Sequence, residues 1–357
     1  QGEMINRENL GKSLVAARAL DKGTVLAAEH VKVRSPGQGL SPQRYEQLLG
    51  RTLQRGMGEE DFFFPSDLID TRIEARPYSF KRPWGVPVRY HDFQAYRASA
   101  PQADLFEFHL SYSDMDLKPE PFLGGSHACD FVVHAPELFS GSRLMDLATP
   151  DEAYRRESVR ETQRVIDITR GLKRFFPRTE RPLIVANIGG FTMDAPLPPN
   201  VIDAYYQRFA KSLSELDMQG VELIPQTMAP FPWHFGGQRY QNLFVKAEEI
   251  VAWCERLNLR MCFDISHSRL ATNHFGLDFY AFAKQIAPYS AHLHLGDASG
   301  VNGEGLQIGE GDLDFAKLGD ILNTGCPAAS FIPEIWQGHK NGGEGFWIAL
   351  DKLEPFL

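Results

Sequence analysis

Cysteine is scarce: the 357 residues hold four, Cys129, Cys254, Cys262 and Cys326. None lies in a C-x-x-C spacing, which excludes a paired-cysteine zinc motif and a dithiol redox motif. Buried free thiols are expected, as in a cytoplasmic protein. No run of 18 apolar residues exists, so no membrane-spanning helix is expected. The start, Gln1-Gly2-Glu3-Met4, lacks the basic-then-apolar pattern of a secretion signal. Gln1-Gly2 looks like an artificial start. Basic charge is also short, with 37 Lys and Arg against 46 Asp and Glu, a net −9. Residues 1–72 are balanced, so the acidic excess lies wholly in the remainder. That excess argues against a nucleic-acid partner, because phosphate backbones attract a basic face.

Hydrophobic content is 43% and charged content 23%, enough to build and solvate a globular core. The length exceeds one ordinary domain and suits a small domain followed by a barrel of about 250 residues. Residues 1–72 are short strand-like pieces and turns. Ser13-Leu14-Val15-Ala16-Ala17 reads as a strand, Asp21-Lys22-Gly23 as a turn, and Thr24-Val25-Leu26 as extended chain. Val31-Lys32-Val33 alternates and enters a loop, Ser35-Pro36-Gly37-Gln38-Gly39. A short helix over 42–49 stops at Gly50.

These residues carry a resemblance. Ser13-Leu14-Val15-Ala16-Ala17-Arg18, Lys22-Gly23-Thr24-Val25, Val33-Arg34-Ser35-Pro36-Gly37-Gln38-Gly39-Leu40, Gly50-Arg51 and Asp67-Leu68 resemble the antifreeze-like (SAF) domain that ends sialic acid synthases. The resemblance implies a longer protein with a condensing barrel upstream, and a homodimer in which this domain caps the partner's site. In that family an arginine directly before the Pro-Gly contacts the sugar. Here Ser35 stands at that place, and Arg34, one residue earlier, is the candidate.

Residues 73–82 are polar, contain Pro77, and read as a linker. From 83 to 357, strand and helix patterns alternate. Candidate strands fall at 84–90, 104–110, 130–135, 182–187, 220–226, 260–264, 290–295 and 330–334. Thr149-Pro150-Asp151-Glu152 predicts a helix start, and Val165, Ile168, Leu172 and Phe175 continue it at helical spacing. Tyr205, Phe209, Leu213 and Leu216 mark the next helix. Eight alternations over this length predict an α/β fold, a (β/α)₈ barrel rather than an open sheet.

Function in such a barrel lies at the carboxyl ends of its strands. Asp264, His294 and Glu334 end the sixth, seventh and eighth candidate strands. Two carboxylates and an imidazole from neighbouring strands suit a hard or borderline divalent cation. His292 shares the face of His294 and lies deeper, where it can support the ligand. Phe231-Pro232-Trp233 follows the fifth strand, and Trp233 is the candidate platform for a sugar's apolar face. Gly309-Glu310-Gly311 follows the seventh strand. Its backbone could bind a phosphate or form a plain loop, and Glu310 is a candidate substrate contact.

A second resemblance rests on Val133-His134-Ala135-Pro136, Phe263-Asp264-Ile265-Ser266-His267, His292-Leu293-His294-Leu295-Gly296-Asp297, Gly309-Glu310-Gly311-Asp312-Leu313 and Pro333-Glu334-Ile335. These are similar to the sugar phosphate isomerase/epimerase group of xylose-isomerase-like barrels, which also includes a DNA-repair endonuclease family. It implies a carbohydrate substrate and a divalent metal (manganese, zinc, magnesium or cobalt) held by Asp264, His294, Glu334 and a strand-five residue. His267 matches a substrate-side or auxiliary histidine. Here the strand-five glutamate is replaced by Gln226. An amide oxygen can ligate but cannot accept a proton. Glu222 has the same parity but lies about 13 Å deeper and reads as structural. Glu334 is then the proton-transfer carboxylate, with His134 or His267 assisting. The expected function is a metal-dependent sugar isomerase or epimerase linked to sialic-acid-type sugar biosynthesis. The alternatives are a non-catalytic carbohydrate-binding or assembly module, and a metal-dependent phosphodiesterase that would also recruit His109, the histidine otherwise expected at the substrate.

Overall fold

The computed structural model describes residues 10–69, 73–141, 143–193, 195–232 and 239–357. The chain divides into two compact units, residues 1–75 with 339–347, and residues 76–338 with 348–357.

In the first unit, β1 (Ser13–Ala16) pairs antiparallel with β2 (Val31–Arg34), setting Leu14 opposite Val33. Gly23 turns the intervening chain with a φ of 91°, a conformation that suits glycine. A 3₁₀ turn at Pro42–Arg44 runs into the short helix Tyr45–Leu48. Leu14, Leu26, Leu48 and Phe63 form the centre of its core. Arg55 makes two hydrogen bonds to the buried Asp67 carboxylate, at 3.1 and 2.9 Å, and that carboxylate also accepts the Phe64 N–H. Residues 339–347 belong here, although the strand–helix count alone assigns them to the barrel. Glu344 accepts the Ser66 N–H at 3.2 Å, and Lys340 donates to the Gln38 carbonyl at 3.1 Å.

The second unit is a (β/α)₈ barrel. Its strands are β3 (Gly85–Val88), β4 (Leu105–His109), β5 (Asp130–His134), β6 (Leu183–Ala186), β7 (Glu222–Pro225), β8 (Met261–Asp264), β9 (Ser290–Leu295) and β10 (Ser330–Pro333). Consecutive strands pair in parallel from β3 to β7 and from β8 to β10. Bridges between Gln226 and Cys262 and between Trp84 and Phe331 close the ring.

Leu105, Val132, Val185, Ile224, Cys262, Ala291 and Ile332, from seven successive strands, pack into one buried layer across the interior. Two residues further along a strand the side chain returns to the same face, about 6.6 Å nearer the carboxyl end. On six of the seven strands those positions hold Glu107, His134, Asn187, Gln226, Asp264 and Glu334; on β9, where the register to β8 shifts, the position is Leu293 and His294 joins the cluster instead. The strand period therefore converts an apolar plug directly into a polar layer.

Two helices show how tertiary context adjusts the pattern. In α1 (Glu152–Leu172) the cap is Asp151, which accepts the N–H groups of Ala153 and Tyr154. Thr149 lies two residues too early and instead accepts the Asp151 N–H. In α2 (Pro199–Ser214) the buried seam uses Tyr206, Phe209 and Leu213, with Tyr205 only half-buried. Arg155, fully buried, ties α1 to α2 through Glu152, Ser212 and Glu215.

Candidate metal centre

Asp264 ends β8 and begins the next helix, α3 (Ile265–Phe275). Its Oδ1 accepts the His267 N–H at 2.8 Å as the N-cap, and its Oδ2 faces the barrel axis. His294 projects from β9 beside it, with Nδ1 3.8 Å from Asp264 Oδ2. Glu334 follows β10 and places Oε2 2.7 Å from the same Nδ1. One ligand atom from each of the three lies within 4.8 Å of the others. Asp264 and His294 are buried, while Glu334 remains partly open to the mouth.

The donor set fits a divalent cation. Two carboxylates and one imidazole converge, with an open side, as such ions require. Among the described residues, the ion-pair partners of Glu107, Asp264 and Glu334 are all histidines, with no lysine or arginine. Burial alone opposes charge on Glu334, but His294, His109 and His134 hold its carboxyl well below the usual range. Burial likewise opposes the His294 imidazolium, but neighbouring acidic groups, among them Glu107 and Glu334, raise its pKa well above the ordinary value. A bound cation would take the place of that proton.

Gln226 stands where a fourth ligand belongs. Its Nε2 donates to Asp264 Oδ2 at 2.8 Å and lies 3.2 Å from His294 Nδ1. Its Oε1 lies 3.2 Å from His134 Nε2. In this orientation Gln226 braces Asp264 and offers the centre a donor, not a lone pair. His134 favours the opposite orientation. Its Nδ1 is 2.9 Å from the Ala135 carbonyl, which requires a proton on Nδ1. Burial pushes its pKa down to about 4, so Nε2 is a bare lone pair. An amide rotated by half a turn would donate to that lone pair and present Oε1 to the centre.

His267 is different in character. Its Nδ1 is 3.1 Å from Asp264 Oδ2 and from the Thr227 carbonyl, and its Nε2 is 3.3 Å from Glu304. Burial opposes its charge, yet the acidic neighbours Asp264 and Glu304 push its pKa up to about 10. It is an imidazolium, a donor rather than a base. Glu304 is carried by a hairpin in which Asp297–Ser299 pairs with Gly303–Leu306. The N–H groups of Gly309 and Gly311 go to Asp297, so that loop has no free amides there for a phosphate.

Four residues absent from the sequence-derived site are present around it. Glu107, in mid-strand, is fully buried against His109, His292 and His294. Glu137, just beyond β5, has its carboxyl pushed up to about 8, first by burial and then by the charges of Glu304, Glu334 and Asp264, with His267 opposing. Asn187 Nδ2 is buried with no partner among the described residues. Trp336, two residues after Glu334, is 45% exposed. The period-2 register identifies Glu107 and Asn187; nothing in the sequence singles out Glu137.

His109 and His134 border this cluster, their rings stacked on that of His294 at 6.2 and 5.7 Å between centroids, and the remaining candidates lie apart from it. His109 and His134 stack at 4.8 Å between ring centroids, and His109 faces Glu107. Glu310 is exposed, and its backbone N–H goes to the Gln307 carbonyl at 2.9 Å. Arg34 belongs to the first unit, 3.4 Å from Glu60. Trp233 lies outside the described residues. Glu222 pairs with Arg260 and Arg181 at the amino end of β7.

Fold and site together define a parallel barrel with a carboxylate–imidazole cluster at the carboxyl ends of its strands. The chain belongs to the xylose isomerase-like TIM barrel family, whose model matches residues 123–351. A SAF domain matches residues 11–69. No curated protein matches the chain. Among solved structures, a D-tagatose 3-epimerase-like protein superposes with a TM-score of 0.57 at 19% identity, covering 77% of this chain and 98% of its own. An L-ribulose 3-epimerase gives 0.51 at 16%, covering 74% and 88%. The 3-keto-D-glucoside 4-epimerase YcjR from E. coli gives 0.52 at 12%, covering 77% and 99%. At these identities the likeness is one of fold.

Proposed function

We propose that the barrel is a divalent-metal-dependent sugar isomerase or epimerase. The convergence of Asp264, His294 and Glu334 carries this reading. These three and the turned Gln226 amide would hold the cation, which would supply charge stabilisation for oxygen developing negative charge on the sugar. Glu334, ionised and partly open, takes the proton from the sugar carbon. Gln226 cannot return it, and Glu137, protonated at neutral pH, is the second acid/base group. The imidazolium of His267, engaged by the Thr227 carbonyl and by Glu304, positions the Glu304 carboxylate beside the site, and the Asn187 amide donates to a substrate hydroxyl. Trp336 offers a face to the sugar's C–H groups. The SAF domain supports a role in sialic-acid-type sugar biosynthesis, with a condensing barrel and a second copy of the chain as partners.

The test is metal analysis of the purified protein, followed by a turnover screen with ketoses, N-acyl amino sugars and their phosphates. One cation per chain and chelator-sensitive turnover, lost in Glu334→Gln, support the proposal. Unchanged turnover in Glu334→Gln refutes the role of that carboxylate. A protein without metal and indifferent to chelator favours a binding module. Cleavage of nucleic acid with added zinc or manganese favours the phosphodiesterase.

A further inference from the structure

The centre of the barrel holds a second arrangement, built around Glu107 and not needed to supply a ligand. The carboxylate is fully buried on β4. Three imidazole nitrogens surround it: His292 Nε2 at 2.6 Å, His109 Nε2 at 2.9 Å and His294 Nε2 at 3.0 Å. A carboxylate only accepts, and it has room for several donors. Of the three, the His294 contact has hydrogen-bond geometry, Nε2 to Oε2 at 3.2 Å, and the carboxylate can accept it only if that nitrogen carries the proton.

His292 packs beside this pair, with its Nδ1 2.7 Å from the Ser330 hydroxyl and its Nε2 close to Glu107 without hydrogen-bond geometry. With Nε2 of His294 bonded to the carboxylate, its Nδ1 faces Asp264 and Glu334. We propose that Glu107 is the positioning residue of the metal centre: it holds His294 in one ring orientation and one tautomer, with the Nδ1 lone pair aimed at the cation. This inference rests on the metal-binding reading above. The physical expectation is general: a carboxylate behind a ligating histidine fixes its tautomer and raises its basicity, and its loss typically costs about 10- to 100-fold in metal affinity. Glutamine in its place would keep one acceptor and add an NH₂ group among the three nitrogens, so His294 could be met by a donor and its ring would then have to reverse.

The experiment compares wild type, Glu107→Gln and Glu107→Asp, each stripped of metal and titrated with Co²⁺ against a competing chelator. The cobalt d–d absorption is recorded alongside. Histidine tautomers of the zinc-loaded wild type are read by ¹⁵N NMR. The expected result is one Co²⁺ per wild-type chain, with His294 metal-bound through Nδ1 and protonated on Nε2. Glu107→Gln should bind about 10- to 100-fold more weakly with a shifted d–d spectrum, and Glu107→Asp should recover part of the affinity. A general loss of stability would not move the tautomer or the band position. Should Glu107→Gln fail to fold, the wild-type tautomer decides alone. Metal on Nε2 of His294, unchanged affinity in Glu107→Gln, or a second cation seated at Glu107 and His292 would each overturn the inference while leaving the metal reading intact. No uptake by wild type would remove both.

Discussion

Asp264 accepts the His267 backbone N–H at 2.8 Å through Oδ1, while its Oδ2 points at the ligand cluster. One carboxylate therefore begins a helix and lines the metal centre. The two duties separate by mutation. Asp264→Asn keeps an oxygen for the cap, whereas Asp264→Ala loses it. Both should lose cation affinity, measured by chelator competition. In urea unfolding of the metal-free proteins, the alanine variant should be less stable than the asparagine variant by about 0.5–2 kcal/mol.

Gln226→Glu restores a carboxylate 2.8 Å from Asp264 Oδ2. Without metal, two like charges then share a buried site. The metal-free variant should melt lower than wild type, and saturating Mn²⁺ should reverse the order. Added ligand charge should tighten Mn²⁺ binding by roughly tenfold or more, read by calorimetry. Equal melting of both metal-free proteins would contradict the placement of Gln226 against Asp264.

Glu137→Gln tests the second proton-transfer group. Metal content and KM should hold, while kcat falls by about 10²- to 10⁴-fold. A general acid works while protonated, so wild-type kcat should decline as pH rises through about 8. A wild-type profile with no alkaline limb near that value would assign the proton elsewhere.

Asp146 governs part of the acid–base stability. It accepts the N–H groups of Ala148 and Gly190 at 3.0 and 2.9 Å, but burial outweighs them and pushes its carboxyl up to about 6 from 3.8. The folded state thus holds this proton more tightly than the unfolded chain. Its stabilising contribution is complete below about pH 4 and is lost as pH rises through about 6. The loss is at most about 3 kcal/mol. Denaturant midpoints across that range should fall in wild type and flatten in Asp146→Asn.

Much of the barrel was legible because strand and helix periods differ so clearly. Each of the eight candidate strands contains an observed one, and Asp264, His294 and Glu334 stood out as ligand types at successive strand ends. Glu107 was not legible by that route, since it precedes the end of β4 by two residues and looks like one step of an ordinary alternation, Phe106-Glu107-Phe108. Only the interior layer, set by Leu105 two residues earlier, shows that it points to the axis. The charge state of His267 was also hidden. It depends on Glu304, 37 residues away in a hairpin whose approach no local pattern encodes. The grouping of residues 339–347 with the first unit rests on Glu344 and Ser66, contacts that no periodicity in the barrel announces.

The apolar layer from Leu105 to Ile332 has a kinetic meaning. It stoppers the lower end of the barrel, so among the described residues Glu334 opens only toward the carboxyl ends of the strands. For the activity proposed above, reactant and released product would take turns at that threshold, and a sugar waiting to leave would keep the next one out.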